Sequence, residues 1–446
     1  MFLFKKIRYL SWLTQGFLRK HSGLITFSLF LGVIGFFLAN WFIPTLQKTF
    51  HREKIGLVGQ FTLSDLPPQV ASRLSRGLTA VAPDGQPLPD LADHWEVSDD
   101  GKTYTFYLKD SLTWVDQSPL KAGDLAFQFK DVEVEVVNDQ TLRFKLKDPY
   151  SPFPVLLSQP VFKKGLIGVG PARVARVKTN GQLVESLTLK EPKKTLIVRF
   201  YPTEKAALTG LKLGEVDRLL GLFSPTLSPD WQSFVQIEEE TDTTKFVGLF
   251  YNNNDSYLAS KPLRQALTYA IKDKPRDSRR ALGPLRPNSW AYNPHIKRYD
   301  YHPDSARKLF KKFQEEGEKQ EKLNLTIATA VSYLDLAEKI KASWEELLPV
   351  SVEVKVINSL SEDFQILLIA QEIPPDPDQY TLWHSTQPGN ISHFNSPKVD
   401  KLLEDGRKTY DLAERKEIYQ EFQKALVEEC PVAFLFYPTV YHLSRR

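Results

Sequence analysis

Sulfur is almost missing from this 446-residue chain, which holds one cysteine, Cys430, and one methionine, its first residue. A lone thiol closes no disulfide within the chain and builds no thiolate cluster, so disulfide scaffolds, zinc ribbons and iron–sulfur centres are excluded together. Stability has to come from burial. Reacting motifs are lacking too: the chain has no GxSxG elbow, no HExxH, no GxxxxGK[ST] and no CxxC. The body also lacks a basic excess. Residues 1–54 carry eight of the 58 Lys/Arg and one of the 54 Asp/Glu, leaving 50 basic against 53 acidic residues beyond them. A body of about −3 has no electrostatic reason to hold a phosphate backbone, so nucleic acid is not an expected partner.

What is present is a folded composition, with 42% hydrophobic, 12% aromatic and 25% charged residues. A single core stops growing near roughly 250–300 residues, so the length implies two lobes and an appendage. The appendage is N-terminal. No charge occurs from Ser22 to Gln47, and Leu24 to Ile43 (LITFSLFLGVIGFFLANWFI) supplies 20 residues, enough at about 1.5 Å each to cross a roughly 30 Å hydrocarbon layer. Trp41 and Phe42 suit an interfacial belt, and Pro44 is expected to stop the helix. Lys5, Lys6, Arg8, Arg19 and Lys20 on the near side place the N-terminus in the cytoplasm and the body outside, making a single-pass protein of the cell membrane. A cleaved signal peptide is the competing reading, but the apolar run exceeds the usual length of about 7–15 residues and no AxA-like site follows. No cysteine stands near the helix end to be acylated. The divisions are then a basic leader at 1–21, an anchor at 22–47, a linker at 48–54, a first lobe at 55–250 to which 431–446 returns, and a second lobe at 251–430.

Alternation marks strands at Thr103–Lys109, Val132–Val136 and Thr141–Lys147, the last two forming a hairpin about Asn138-Asp139. Apolar runs at Thr195–Tyr201 and Lys245–Tyr251 read as buried strands. Leu263, Ala266, Leu267, Ala270 and Ile271 make a helical stripe behind Pro262, and Ala306, Leu309, Phe310 and Phe313 another behind Pro303. A strand at Leu323–Thr329, a helix through Ala337, Ile340, Trp344 and Leu347, and strands at Val352–Ile357 and Phe364–Ala370 continue the alternation, which implies an α/β lobe. Two late helices follow, one through Val399, Leu402 and Leu403, the other opened by the Asp411/Glu414 capping box. Val432–Tyr437 is expected to be the last strand.

Chemistry-bearing residues concentrate in one stretch, Gln371 to Trp383 (QEIPPDPDQYTLW). It follows a buried strand, prolines stiffen it, and carboxylates crowd beside an aromatic pair. Glu372, Asp376, Asp378, Tyr380 and Trp383 could grip a cationic or polar ligand at the strand end, or form a rigid surface turn with its acids in water. Trp290 and Tyr292 could stack a ligand or plug the lobe, and Asn252 completes the candidate set. Gly165, Gly168 and Gly170 precede Pro171 without opening a helix and read as a turn. His384 and His393 would need Asp376 or Asp378 to hold a metal, and read instead as solvated loop histidines. No cofactor, metal or catalytic residue is expected.

In order along the chain these motifs resemble the extracellular solute-binding proteins of family 5, the dipeptide- and oligopeptide-binding components of ABC importers. Leu88–Leu108 (LPDLADHWEVSDDGKTYTFYL) is similar to the family's long "P-LA--W-VS-DG-TYTF-L" signature, and Trp114–Asp124 (WVDQSPLKAGD) to "W-DG-P-TA-DV" with Gln117 in place of glycine. Gly168–Pro171 resembles "GTGPY", and Pro262–Ile271 (PLRQALTYAI) the "VRQALNYAI" helix. Tyr292-Asn-Pro with Tyr301-His-Pro-Asp, Pro375–Asp378 (PDPD), Asn395–Leu403 (NSPKVDKLL) and Glu414–Tyr419 (ERKEIY) complete a likeness over roughly residues 70–440. The resemblance implies a two-lobed α/β fold of the periplasmic-binding-protein type II (cluster C) kind, a peptide or similar small solute between the lobes, an ABC permease as partner, a monomer, and no catalysis. Two departures stand out. Asp124–Phe129 passes at once into the strand at Val132, implying a reduced cleft wall. The loop aspartate that often holds a peptide's amino group corresponds here to Ile373, and the accompanying tryptophan to Ala370, leaving Glu372 or Asp378 as substitutes. The alternative implied by these departures is an anchored sensor or assembly protein that keeps the fold but binds another protein.

Overall fold

The computed structural model describes residues 12, 15–49, 51–317, 322–357, 359 and 363–446, with side chains left out at 25 and 38–51. Most of the expected basic leader lies outside the described residues. A helix of 28 residues, Ser22–Thr49, comes next. It runs on through Pro44, which was expected to end it; a proline removes one helical hydrogen bond and can be carried inside a helix as a kink site. Leu24, Phe27, Phe30, Phe36 and Phe37 point outward from it. Among the described residues no helix is long and apolar enough to cross a membrane. The expected linker at 48–54 is the helix end followed by the first half of a strand, His51–Val58.

That strand lies in the seven-stranded sheet of the first lobe. It pairs in parallel with Lys194–Tyr201 on one side, His51 opposite Lys194, and with Arg218–Leu222 on the other, Ile55 opposite Arg218. Antiparallel strands extend both flanks: Leu183–Lys190 and Arg173–Asn180 beyond the first, Thr439–Arg445 and Val235–Thr241 beyond the second. Each face has its own core. Ile55, Leu57, Leu187, Leu196 and Val198 pack under the helix Pro68–Leu74, while Leu219, Leu222, Val235 and Leu443 meet Ala207 and Leu211 of Glu204–Lys212. Thr203 caps the latter helix by accepting from the Ala206 amide, 3.2 Å away.

Inserted in this lobe is a four-stranded antiparallel subdomain, ordered Ala92–Val97, Thr103–Leu108, Thr141–Leu146, Val132–Asn138. The expected hairpin about Asn138-Asp139 is there, with Asn138 Oδ1 accepting from the Gln140 amide at 2.9 Å. One face of its sheet buries Tyr104, Phe106, Leu142, Phe144 and Phe153. Gly168 and Gly170 serve packing: a Cβ at Gly168 would stand 2.1 Å from the Leu74 carbonyl oxygen, so only glycine lets the two backbones approach.

The second lobe is a five-stranded mixed sheet in the order Val350–Val356, Leu323–Thr329, Ile366–Glu372, Lys245–Tyr251, Val432–Phe436. The helices Lys261–Tyr269, Pro303–Glu316, Leu334–Leu347 and Leu412–Glu429 enclose the largest core. Trp344 is fully buried there, its indole donating to the Leu267 carbonyl at 2.8 Å. Asp411 caps Leu412–Glu429 through the Glu414 amide at 2.8 Å. Sheet pairing moves two expected boundaries. Lys245–Tyr251 belongs to this sheet and not to the first lobe's, and the chain returns to the first lobe at Thr439 and not at 431. Val432–Phe436 is therefore followed by one more strand. Alternation identifies a buried strand but cannot say which sheet receives it. The lobes are joined by two adjacent crossings, 242–244 and 437–438, where the Asp242 amide donates to the Pro438 carbonyl at 2.8 Å.

Candidate solute-binding cleft

Between the lobes lies a cleft of about 1330 Å³. Its first-lobe wall is Leu63–Ser72, where the chain leaves the first strand, together with Ser158–Leu166; its second-lobe wall is Thr244, Arg286, Gln371–Pro375 and Leu382. Strand ends at a lobe junction leave such space because the sheets stop there while the connections turn aside. Pro374 and Pro375 have no amide to continue the ladder, so the strand Ile366–Glu372 stops at this point. Ile373 is tied down by its backbone: its amide donates to the Thr244 carbonyl at 2.7 Å, and its carbonyl accepts from Arg286 Nε at 3.0 Å. Its side chain, in a residue 2% exposed, forms apolar floor. Burial pulls the Arg286 guanidinium below its ordinary value, ahead of the opposing pull of Asp242 and Glu372. Glu372 is 81% exposed and pairs with Lys245 at 3.4 Å. Lys163 meets Asp116 at 3.7 Å and Ser118 at 3.1 Å. Glu372 and Lys163 are therefore already matched, and much of the remaining surface is apolar, with Phe162, Leu63, Leu66 and Leu166.

Of the eight candidate residues, Glu372 alone lines this cleft. Asp376 is spent on Arg415, both side chains 7% exposed, with Oδ1 to Nη2 at 2.6 Å and Oδ2 to Nη1 at 3.1 Å. It also accepts from the Asp378 amide at 2.8 Å. Asp378 accepts from the Tyr380 amide at 3.1 Å and faces Arg407 Nε at 3.2 Å and Tyr150 Oη at 3.4 Å. Burial raises the Asp378 carboxyl above its ordinary value despite Arg407. Burial depresses Arg415 first, but Asp376 and Tyr419 outweigh it and the guanidinium is held above its ordinary value. These aspartates are not free charges for a solute. Each caps a turn and neutralises an arginine, because the short loop folds back on the helices Pro397–Lys408 and Leu412–Glu429.

The aromatics are likewise engaged. Trp383 is 2% exposed, stacks on Phe250 at 6.1 Å and donates to Gln379 Oε1 at 2.8 Å, so it has no face to offer a ligand. Tyr380 and Tyr150 sandwich Arg407, 4.2 and 4.8 Å from its guanidinium carbon, beside a separate 740 Å³ cavity. Trp290 lies over Arg415 at 5.3 Å and lines a 550 Å³ cavity with Asp376 and Tyr104. Tyr292 is half-buried near Arg280 and Arg298, and burial raises its phenol. Asn252 sits beyond the far end of Lys245–Tyr251, its amide group donating to the Phe364 carbonyl at 3.0 Å. The structure thus brings Trp290, Asp376, Asp378 and Tyr380 together at a joint, where the four-stranded subdomain meets the second lobe. Tyr410 Oη completes it, donating to the Gly101 carbonyl at 2.6 Å and accepting from the Tyr150 amide at 2.9 Å. The lobes are close enough here that a Cβ at Gly85, φ +93°, would stand 2.1 Å from the Pro375 carbonyl oxygen. His384 is bonded to Thr386 and faces Glu404, and among the described residues no three His, Cys, Asp or Glu side chains gather as metal ligands.

The residues that sequence reasoning passed over are those of the first-lobe wall and Arg286. SDLPPQ, following a strand, carried the turn chemistry that could have marked the wall; Arg286 acts through a carbonyl contact that no motif announces.

Two α/β lobes joined by two short crossings around a strand-end cleft define a binding protein of the hinged, two-lobed class. The family model described as bacterial extracellular solute-binding proteins, family 5 Middle, matches residues 86–393. The chain belongs to this family; it is a solute-binding protein and not an enzyme. Among curated relatives, the oligopeptide-binding protein OppA of Bacillus subtilis (strain 168) is 23% identical over 485 residues, covering 89% of this chain and 88% of its own. Among solved structures, NikZ from Campylobacter jejuni in complex with Ni(L-His) aligns with a TM-score of 0.71 at 24% identity, over 89% of this chain and 94% of that one. DppA from Helicobacter pylori, in complex with the peptide STSA, aligns with a TM-score of 0.67 at 18% identity, over 90% and 95%. At these identities the structural likeness speaks for the fold alone.

Proposed function

We propose that the chain captures a peptide or similar small solute outside the cytoplasm for an ABC permease, as a monomer of the type II (cluster C) architecture. One observation carries the peptide reading. Ile366–Glu372 pairs along its whole length with Lys245–Tyr251, but with Leu323–Thr329 only over residues 366–368. Among the described residues the other edge of 369–372 has no strand partner, and it runs into the cleft at Gln371 and Glu372. An extended peptide can add there as a further strand, its side chains alternating toward the aliphatic walls. The floor at Ile373 holds no carboxylate for a terminal amine, so recognition rests on main chain and apolar side chains. The names of relatives such as OppA agree with a peptide ligand.

The body is held at the membrane in this reading by the helix that precedes it. The support is the uncharged run from Ser22 to Gln47 with basic residues before it, and a helix Ser22–Thr49 whose described apolar side chains are exposed. Resistance of the full chain to alkaline carbonate extraction tests it, and release into the supernatant would contradict it.

The binding reading is tested on the full chain in detergent, by mass spectrometry of what it carries and titration with the peptide found. Methylation of a peptide amide at the bonded edge should weaken binding about tenfold, the worth of one such hydrogen bond, whereas acetylation of the amino terminus should leave it nearly unchanged. A single protein partner carried in place of any peptide would turn the reading toward an assembly role.

A further inference from the structure

The seven-stranded sheet has two ends, and the end opposite the cleft has a character of its own. Its first strand starts there at His51, level with Lys194, and Lys190 lies opposite Thr195 while Arg173 lies opposite Lys190. On the other flank the C-terminal strand runs down past Arg218, and the Arg445 amide donates to the Asp217 carbonyl at 3.0 Å. Register therefore gathers Arg173, Lys190, Lys193 and Arg445 along one rim, all exposed. Of the nearby acids, Glu53 is taken by Lys194 and Arg218 and Glu191 by Arg73, leaving Asp217 as a single carboxylate against four cations. Among the described residues the four rim cations have no ion-pair partner. Apolar tips share the Arg445 side of this rim. Leu213 is 73% and Phe234 62% exposed; Leu213 precedes Gly214, against whose backbone the Arg445 guanidinium lies, and Phe234 leans on Trp231 at 5.9 Å, which carries Lys212 at 5.7 Å.

We propose that this rim docks on the anionic phospholipid headgroups of a bilayer, seating the body with its rim toward the membrane. Unpaired cations on one rim with exposed Leu and Phe are the composition of an interfacial surface, the cations meeting phosphates while the apolar tips enter the headgroup layer. Connectivity selects the occupant: the helix Ser22–Thr49 ends two residues before the strand that begins at this rim. The proposal goes beyond solute binding and rests on the anchored reading of that helix. One consequence concerns the cleft. Its wall at Leu63–Leu66 follows the far end of the strand, eight residues on, so a rim-down body holds it about 25 Å or more from the bilayer surface.

The test uses the full chain reconstituted in vesicles of phosphatidylcholine alone, or of phosphatidylcholine with phosphatidylglycerol. An environment-sensitive fluorophore is attached at Phe234→Cys or Leu213→Cys, with Val331→Cys on the second lobe as reference; the native Cys430 is buried. Flotation reports attachment, and nitroxide-labelled lipid reports contact with the headgroup layer. Both rim sites should be quenched at least roughly threefold more on phosphatidylglycerol vesicles than on phosphatidylcholine, Val331→Cys on neither, and the difference should vanish in high salt. Lys190→Glu with Lys193→Glu should remove it at unchanged melting temperature. A chain that floats while its rim sites stay unquenched overturns the docking and leaves the anchor standing; equal quenching on both vesicles also overturns it. Flotation only on phosphatidylglycerol, with quenched rim sites, sustains the docking and removes the anchor. Failure to float on either removes both.

Discussion

The two halves of one loop do opposite work. Gln371–Pro375 ends a strand in the cleft and offers a main-chain edge with an apolar floor. Asp376–Trp383, beginning one residue later, is locked into the joint between the subdomain and the second lobe by Arg415, Arg407 and Phe250. The second half holds the two aspartates and the rings, most of the side chains that look equipped to bind, while the first half holds Glu372, paired with Lys245. The first half brings to the cleft a strand edge and an isoleucine, which the proposed function assigns to binding. Conspicuous charge within a folded loop is more often answered by the protein itself, because an unpaired buried charge costs several kcal/mol while an exposed strand edge costs little.

That contrast can be broken most forcibly at the buried pair. Asp376→Ala should destabilise the chain by about 3–5 kcal/mol, because Arg415 is left charged and dry, whereas Asp376→Leu with Arg415→Met should cost far less. Urea unfolding checks both; equal losses would mean that the pair contributes stability of its own. Tyr410→Phe removes the donor to Gly101 and the acceptor for Tyr150, and should cost about 1–2 kcal/mol. Faster amide exchange within Ala92–Leu146, with solute affinity unmoved, is the expected signature, and a loss of affinity would show that joint and cleft are coupled.

A sharper comparison comes from giving the first half what it lacks. Ile373→Asp should raise the preference for amino-free over N-acetylated peptide about tenfold relative to the parent, since a carboxylate then stands at the floor. Competition binding measures the ratio, and an unchanged ratio would place the peptide's amino end elsewhere. The smallest effect concerns pH. Burial raises the folded pKa of Asp378, so the folded state keeps this proton longer than the unfolded chain. Its contribution to stability is then fullest below the unfolded value of 3.8 and lost as pH rises through the raised folded value. The stability of the parent relative to Asp378→Asn should fall over that window and be flat above it. An opposite slope would mean that Arg407 governs the site.

Fold and site were unequally legible. Strands with one buried face, such as Thr103–Leu108, declared themselves by alternation, and proline-led helices such as Lys261–Tyr269 by their stripe. Exposure blurred the pattern of some strands that were missed, such as Arg173–Asn180 and Val235–Thr241 at the sheet's edges, which expose residues on both faces. His51–Val58 was hidden by its charged start, whose ion pairs with Lys194 and Arg218 form only once distant strands assemble. For the site, residue types pointed to the whole loop Gln371–Trp383, of which the first half lies at the cleft and the second at the joint. Residue type could suggest that Asp376 binds a cation, but that the cation is Arg415, thirty-nine positions on, is a tertiary fact. The substitution at Ile373 was visible; the edge beside it, which needs the pairing pattern of two neighbouring strands, was not.

The most direct measurement compares the solute carried by the full-length parent, by Ala71→Trp, which fills the cleft from the first-lobe wall, and by Asp378→Asn, each checked for an unchanged melting temperature. Native mass spectrometry of all three should find the same peptide on the parent and on Asp378→Asn, and none on Ala71→Trp. A peptide retained by Ala71→Trp and lost from Asp378→Asn would put the binding site at the joint and contradict the account.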